Sequence, residues 1–167
     1  MELRGEQVVL RPAETGDLAP FTAVFEAPGI DEWWPGEDRA KIARDLLSDD
    51  DATVYAVLLD GMVAGIIQSY EETDPDYRHA GLDIALHPDV HDRGVGTDAV
   101  RTLARHLIEH DGHHRLIIDP AADNARAIRC YEKVGFRPVG VMRDYERGRD
   151  GTFHDGLLMD LLADELT

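Results

Sequence analysis

A mixed α/β domain is the fold class these residues predict, and three observations carry the prediction. Residues 53–59 and 62–70 are β-branched, apolar runs joined by Asp60-Gly61. That pair marks a tight hairpin, because both central positions of such a turn need positive φ. Residues 81–87 read as a strand closed by Pro88, followed by a helix over 94–110 with Val100, Leu103, Ala104, Leu107 and Ile108 on one stripe. A short buried strand over 115–119 then leads to a helix ending at Val134, with Gly135 as its left-handed C-terminal residue. The result is a central mixed, mostly antiparallel sheet flanked by helices.

The remaining elements follow in order. Residues 7–11 alternate as a first strand closed by Pro12, and Thr15 is placed to cap a helix to Phe25. Asp31-Glu32-Trp33-Trp34-Pro35-Gly36 is irregular, and a helix over 37–47 places Ile42, Ala43, Leu46 and Leu47 on one face. Residues 71–76 form an acidic loop, and Asp123 or Asn124 caps the helix that ends at Val134. Residues 139–145 and 152–161 read as a hairpin around 147–151. No linker, repeat or low-complexity tract interrupts residues 1–167, so one domain is expected.

Charge narrows the function classes. A formal net charge of −17 argues against nucleic acid as a partner. Residues 93–137 are the exception, with eight basic against six acidic side chains, which suits an anionic ligand there. The acidic remainder favours a polycation, or serves solubility. No apolar run reaches the ~20 residues needed to cross a bilayer. The first five residues lack the basic-then-apolar pattern of a signal peptide, so a cytoplasmic protein without a membrane partner is the expectation. Cys130, the one cysteine, excludes an intrachain disulfide and reads as helix packing. His106 and His110 share a helix face, but no Cys/Asp partner pattern or His-Glu-x-x-His accompanies them, so no metal is expected.

The chemistry concentrates between Asp83 and Phe136. His91-Asp92-Arg93-Gly94-Val95-Gly96-Thr97 follows a strand and opens a helix. Free N–H groups and the helix dipole favour anions at that point, and glycines admit close backbone approach. A Gly-Lys-Ser/Thr nucleotide loop is absent. Further on, Asn124, Ala127, Tyr131, Gly135 and Phe136 hold the spacing Asn-x-x-Ala-x-x-x-Tyr-x-x-x-Gly-Phe. Taken as a bare residue, Tyr131 is ordinary helix packing. Asp83 and Asp119 stand at comparable ends of neighbouring strands, where a carboxylate can hold an ammonium group and accept its proton; Asp119, before Pro120, is equally placed to cap a turn.

Together the glycine turn and the tyrosine helix resemble the acetyl-CoA core of the GNAT-type N-acetyltransferases. His91 departs from the family motif, which carries Gln or Arg there. The resemblance implies a GNAT fold with acetyl-CoA as cosubstrate. Its diphosphate would be cradled by residues 91–97 and its pantetheine arm by backbone groups of Ile84, Ala85 and Leu86, with Asn124, Ala127, Tyr131 and Lys133 beside it. It also implies Tyr131 as proton donor to the departing sulfur and direct attack by the amine, since no activated nucleophile is visible.

A closer resemblance lies in Asp31–Glu37, residues 65–75 and Ala127–Lys133, which look like segments of aminoglycoside 6′-N-acetyltransferases. It implies a polycationic small-molecule amine as partner and a pocket of Trp33, Trp34, Tyr70, Glu71 and Glu72 with Asp83 and Asp119 as catalytic carboxylates. Either tryptophan can equally plug the core beneath its loop. The C-terminal hairpin instead looks like that of GNAT proteins that modify protein N-termini, and siderophore-type acyltransferases share a Glu-Trp-Trp segment. A coenzyme A-binding regulatory module is the non-enzymatic alternative. A monomer or a homodimer fits all of these.

Overall fold

The computed structural model describes residues 1–167. Eight strands form one sheet in the order β1-β2-β3-β4-β5-β6-β8-β7. They are β1 (Leu3–Arg4), β2 (Val8–Pro12), β3 (Ala52–Leu59), β4 (Met62–Glu72), β5 (His79–Leu86), β6 (Arg115–Ile118), β7 (Arg137–Arg147) and β8 (Phe153–Leu162). Four helices flank it: α1 (Leu18–Glu26), α2 (Arg39–Leu47), α3 (Val95–Glu109) and α4 (Ala125–Val134). Every neighbouring pair is antiparallel except β5 and β6.

Alternation along the strands sends side chains to two cores. Tyr55, Val57 and Ile67 face α3 and α4, in a cluster of 21 buried residues that includes Leu103, Leu107, Tyr131 and Phe136. Ala56, Ile66 and Ala85 face the other way and meet Phe21, Phe25 and Leu46 of α1 and α2 in a cluster of 10. Period-two alternation makes both faces of one sheet apolar, which is why helices cover both.

The hairpin turn forms as its residues require, with Asp60 at φ 51° and Gly61 at φ 79°. Several boundaries differ from the sequence reading. Asp17, not Thr15, precedes α1; its carboxylate is held by Arg11 and the Glu14 amide. Asp38 caps α2 by accepting from the Lys41 amide at 2.9 Å, so that helix starts two residues later than expected. Glu71 and Glu72 belong to β4 rather than to a loop, paired with Ala80 and His79. Strand β1, two residues long, carries too little pattern to be read.

An unanticipated clamp fixes the start of α3. The buried Asp98 carboxylate accepts from the backbone amides of Glu6, Gln7 and Val8 at 2.7 to 3.0 Å. A side chain on Gly5 would collide with it, since a Cβ there lies 2.6 Å from Asp98 Oδ2. At the other end of α3, His106 and His110 stack at 4.6 Å, and Asp111 is the acidic partner the sequence did not reveal, 2.7 Å from His110 Nδ1.

Candidate active site

The parallel seam opens the sheet. β5 and β6 pair only at Ala80–Leu116 and Gly81–Ile117, after which the strands part. Asp83, Ile84, Ala85 and Leu86 continue along β5 with no strand on that side, while β4 still pairs with them on the other. Backbone groups left this way need partners. Leu86 is already partly served: His91 Nε2–H donates to its carbonyl at 2.9 Å, and His91 Nδ1 accepts from Arg126. Burial and the adjacent guanidinium lower the His91 pKa, keeping the ring neutral for this bridge. One lone pair of the Leu86 carbonyl is thus taken within the chain, and the second stays open.

Below the seam lies a cleft of about 260 Å³, lined on one side by Ile84, Ala85 and Leu86. The glycine turn forms its floor through His91, Asp92, Gly94, Gly96 and Thr97. Asp92 and Gly94 adopt φ of 59° and 79°, turning successive amides towards the opening of α3. Gly96 lets α4 approach, since a Cβ there would stand 3.3 Å from both Cys130 Sγ and Leu86 Cδ1. Asn124 caps α4 through the Ala127 amide.

Twelve of the fourteen residues expected around the cofactor line this cleft; Arg93 and Val95 do not. The Arg93 carbonyl accepts from the Gln7 side chain, and Val95 is buried in the core. Sequence reasoning missed Arg126 and Arg129, which line the cleft with Lys133. Their spacing along α4 already placed all three cations on the face carrying Cys130. Burial pushes the Cys130 thiol up, so it is a packing group. An anion with a long amide-bearing arm suits this cleft: cations and helix amides at one end, an unpaired strand edge at the other.

A second cavity of about 500 Å³ adjoins the first, and Trp33, Trp34, Ile84, Asn124, Ala127 and Tyr131 line both. Beyond the shared Asn124, Tyr131 and tryptophans, its polar groups are Asp83, Asp119, Tyr145 and Glu146. Desolvation, reinforced by Asp119 and Glu146 and opposed by a hydrogen bond from Gln68, raises the Asp83 pKa to about 7. Tyr131 is 7% exposed and packs edge-on to Phe136. Burial pushes its phenol well above the ordinary value, so it keeps its proton at any physiological pH.

Trp33 and Trp34 enclose the junction, and Trp34 also packs on Phe25 at 5.4 Å, so it is wall and core together. Tyr70, Glu71 and Glu72 line neither cavity. The Tyr70 ring lies across Gly81, where a Cβ would sit 2.0 Å from it. Glu71 Oε1 lies 3.0 Å from the buried His113, and Glu72 accepts from the Asp74 amide. Tyr145 and Glu146 were not anticipated. Tyr145 donates to Asp119 Oδ2 at 2.7 Å, chiefly through which its own pKa rises to about 12.

Comparison with known proteins is consistent with this geometry. The model of the acetyltransferase (GNAT) family matches residues 19–136. The aminoglycoside N(6′)-acetyltransferase type 1 of Klebsiella pneumoniae is 33% identical over 157 residues, covering 82% of this chain and 77% of the relative. The [ribosomal protein bS18]-alanine N-acetyltransferase of Escherichia coli K12 is 37% identical over 83 residues, 48% of this chain and 53% of the relative. Among solved structures, AAC(6′)-Ib in complex with paromomycin and acetyl-CoA superposes with a TM-score of 0.78 at 29% identity, covering 96% of each chain. No helix is long and apolar enough to cross a membrane.

Proposed function

This chain belongs to the acetyltransferase (GNAT) family, and from that premise we propose that it acetylates the 6′-amine of aminoglycosides, using acetyl-CoA, within one domain. The observation that carries the reading is the junction at Tyr131. A cation-rich cleft and a carboxylate-rich cavity meet there through six common lining residues. A two-substrate transfer without a covalent enzyme intermediate needs that continuity.

Acetyl-CoA supplies an activated acetyl thioester. Amides at the head of α3, with Arg126, Arg129 and Lys133, hold its anionic end. Asp83 holds the substrate ammonium and accepts its proton, directly or through water, leaving a neutral amine to attack. A carboxyl poised near 7 is matched to that task. Tyr131 delivers a hydrogen bond or proton to the sulfur as the carbon–sulfur bond breaks. Trp33 and Trp34 give a cationic sugar an aromatic wall. The relative's name and the paromomycin complex support an aminoglycoside in this cavity. The alanine N-acetyltransferase relative points to a peptide N-terminus instead, a substrate with no need of three carboxylates.

Free-thiol release from acetyl-CoA tests the assignment. Kanamycin is expected to drive it, whereas paromomycin, with a 6′-hydroxyl, is expected to gain no acetyl group at that position. Equal acetylation of both at some other amine overturns the 6′ assignment.

A further inference from the structure

We propose that the C-terminal end of α3 binds a divalent transition metal, Zn²⁺ or an ion of similar ligand preference, between His106, His110 and Asp111. The site stands apart from the transfer machinery, since the 15 residues of α3 separate it from the glycine turn by about 22 Å. The i, i+4 spacing of His106 and His110 puts both rings on one face of the helix's last turn, where they stack at 4.6 Å. The acid comes from where the helix ends. The His106 carbonyl accepts from the amides of both His110 and Asp111, at 2.9 and 3.2 Å, and the chain turns back over the rings. The Asp111 carboxylate then lies 3.7 Å from His106 Nε2 and 2.7 Å from His110 Nδ1. One ligand atom from each of the three residues stands within 4.8 Å of the others. Ligands around a tetrahedral zinc ion are about 3.3 Å apart, so a small rotation of the exposed His110 ring closes the set.

Three features favour an ion here over hydrogen bonds alone. First, the acid is anchored in advance. Arg78 donates to the main-chain carbonyls of Asp111 and Gly112 at 2.7 and 2.9 Å, and the His113 amide donates to the Leu107 carbonyl at 3.0 Å. Little ordering is left for a bound ion to impose. Second, the ion pairs of Asp111 are with these two imidazoles alone. Two neutral rings leave its oxygens without a cation, whereas two protonated rings stacked at 4.6 Å repel. A divalent ion removes both difficulties, and the proton between His110 Nδ1 and Asp111 Oδ1 passes to solvent. Third, the carbonyls at a helix C-terminus carry partial negative charge that favours a cation. Two imidazoles select zinc, copper or nickel over magnesium and calcium, and with three protein ligands a water completes the coordination. The nearby Arg78 charge opposes the ion, which sets the affinity in the micromolar range, short of a closed four-ligand centre. Once bound, the ion fastens the last turn of α3 to the loop entering β6.

Calorimetric titration of Zn²⁺ into the full chain, free of any affinity tag and stripped with chelator, tests the site. One equivalent is expected to bind with a micromolar Kd, and Mg²⁺ is expected to give no binding heat. Saturating Zn²⁺ should raise Tm by about 5 °C. His110→Gln and Asp111→Asn should each weaken Zn²⁺ binding about tenfold or more. His110→Cys exchanges one zinc ligand for another and should retain it. His154→Gln removes the other close histidine–aspartate pair, with Asp150 at the hairpin tip, and should leave the first equivalent unaltered. No uptake at millimolar Zn²⁺ overturns the proposal, as does uptake that survives His110→Gln or is lost with His154→Gln. Equal binding of Mg²⁺ also overturns it, because an acidic surface would then suffice.

Discussion

The two halves of the site are built on opposite plans. On the proposed cofactor side, a local run from Asp92 to Thr97 presents backbone amides, and one face of α4 adds cations. On the proposed amine side, carboxylates arrive from β5, from the end of β6 and from Glu146 of β7, while the tryptophans come from the segment between α1 and α2. A ligand of constant chemistry can be read by main chain in one short segment. A variable one is read by side chains gathered from distant parts of the chain. The first half is therefore expected to respond to changes in backbone conformation, the second to changes in charge.

The largest effect is expected where the halves meet. Tyr131→Phe should lower kcat by about 10²-fold or more, with coenzyme A affinity nearly unaltered by calorimetry. Unchanged kcat would remove the proton-donor role and with it the claim that the halves converge there.

Next in size, Asp83→Asn should lower kcat/KM by about 10²-fold and abolish a rise in rate through about pH 7, where this carboxyl ionises. The same group gives a stability signature. Its folded pKa is raised above the ordinary 3.8, so the folded chain holds an extra proton between about 4 and 7. Its contribution to stability thus falls as pH rises across that window, and Asp83→Asn should flatten the decline in chemical denaturation. A rate limb near 7 that survives the substitution would assign it to another group.

The smallest effect belongs to the other half. Gly94→Ala places a Cβ at φ 79° and 3.1 Å from Gln7 Nε2, costing about 1 kcal/mol of stability. Coenzyme A should then bind several-fold more weakly while the amine KM stays the same. Equal weakening of both ligands would erase the division between the halves.

How legible each half was in the sequence follows from the same contrast. Gly94, Gly96, Asn124 and Tyr131 lie in contiguous motifs whose spacing is itself the signal. Asp60-Gly61 and Gly135 were legible because positive φ restricts residue choice. Tyr145 and Glu146 gave no such signal. They sit in an exposed edge strand without alternation, and only the pairing slip opposite Gly156 aims them inward. Glu71 and Glu72 erred in the opposite sense: acidity suggested a loop and the resemblance implied a substrate contact, but register with β5 places them in a strand, and they line neither cavity. Asp98 was unreadable because its three partners lie some ninety residues earlier.

The two-pair contact between β5 and β6 has a consequence for the chain's survival. On the proposed reading, the pantetheine amides close a gap that the molecule's own hydrogen bonding leaves open. Resistance to heat and proteases is then expected to rise with the logarithm of free coenzyme A, tying the persistence of this protein to the supply of a central metabolite.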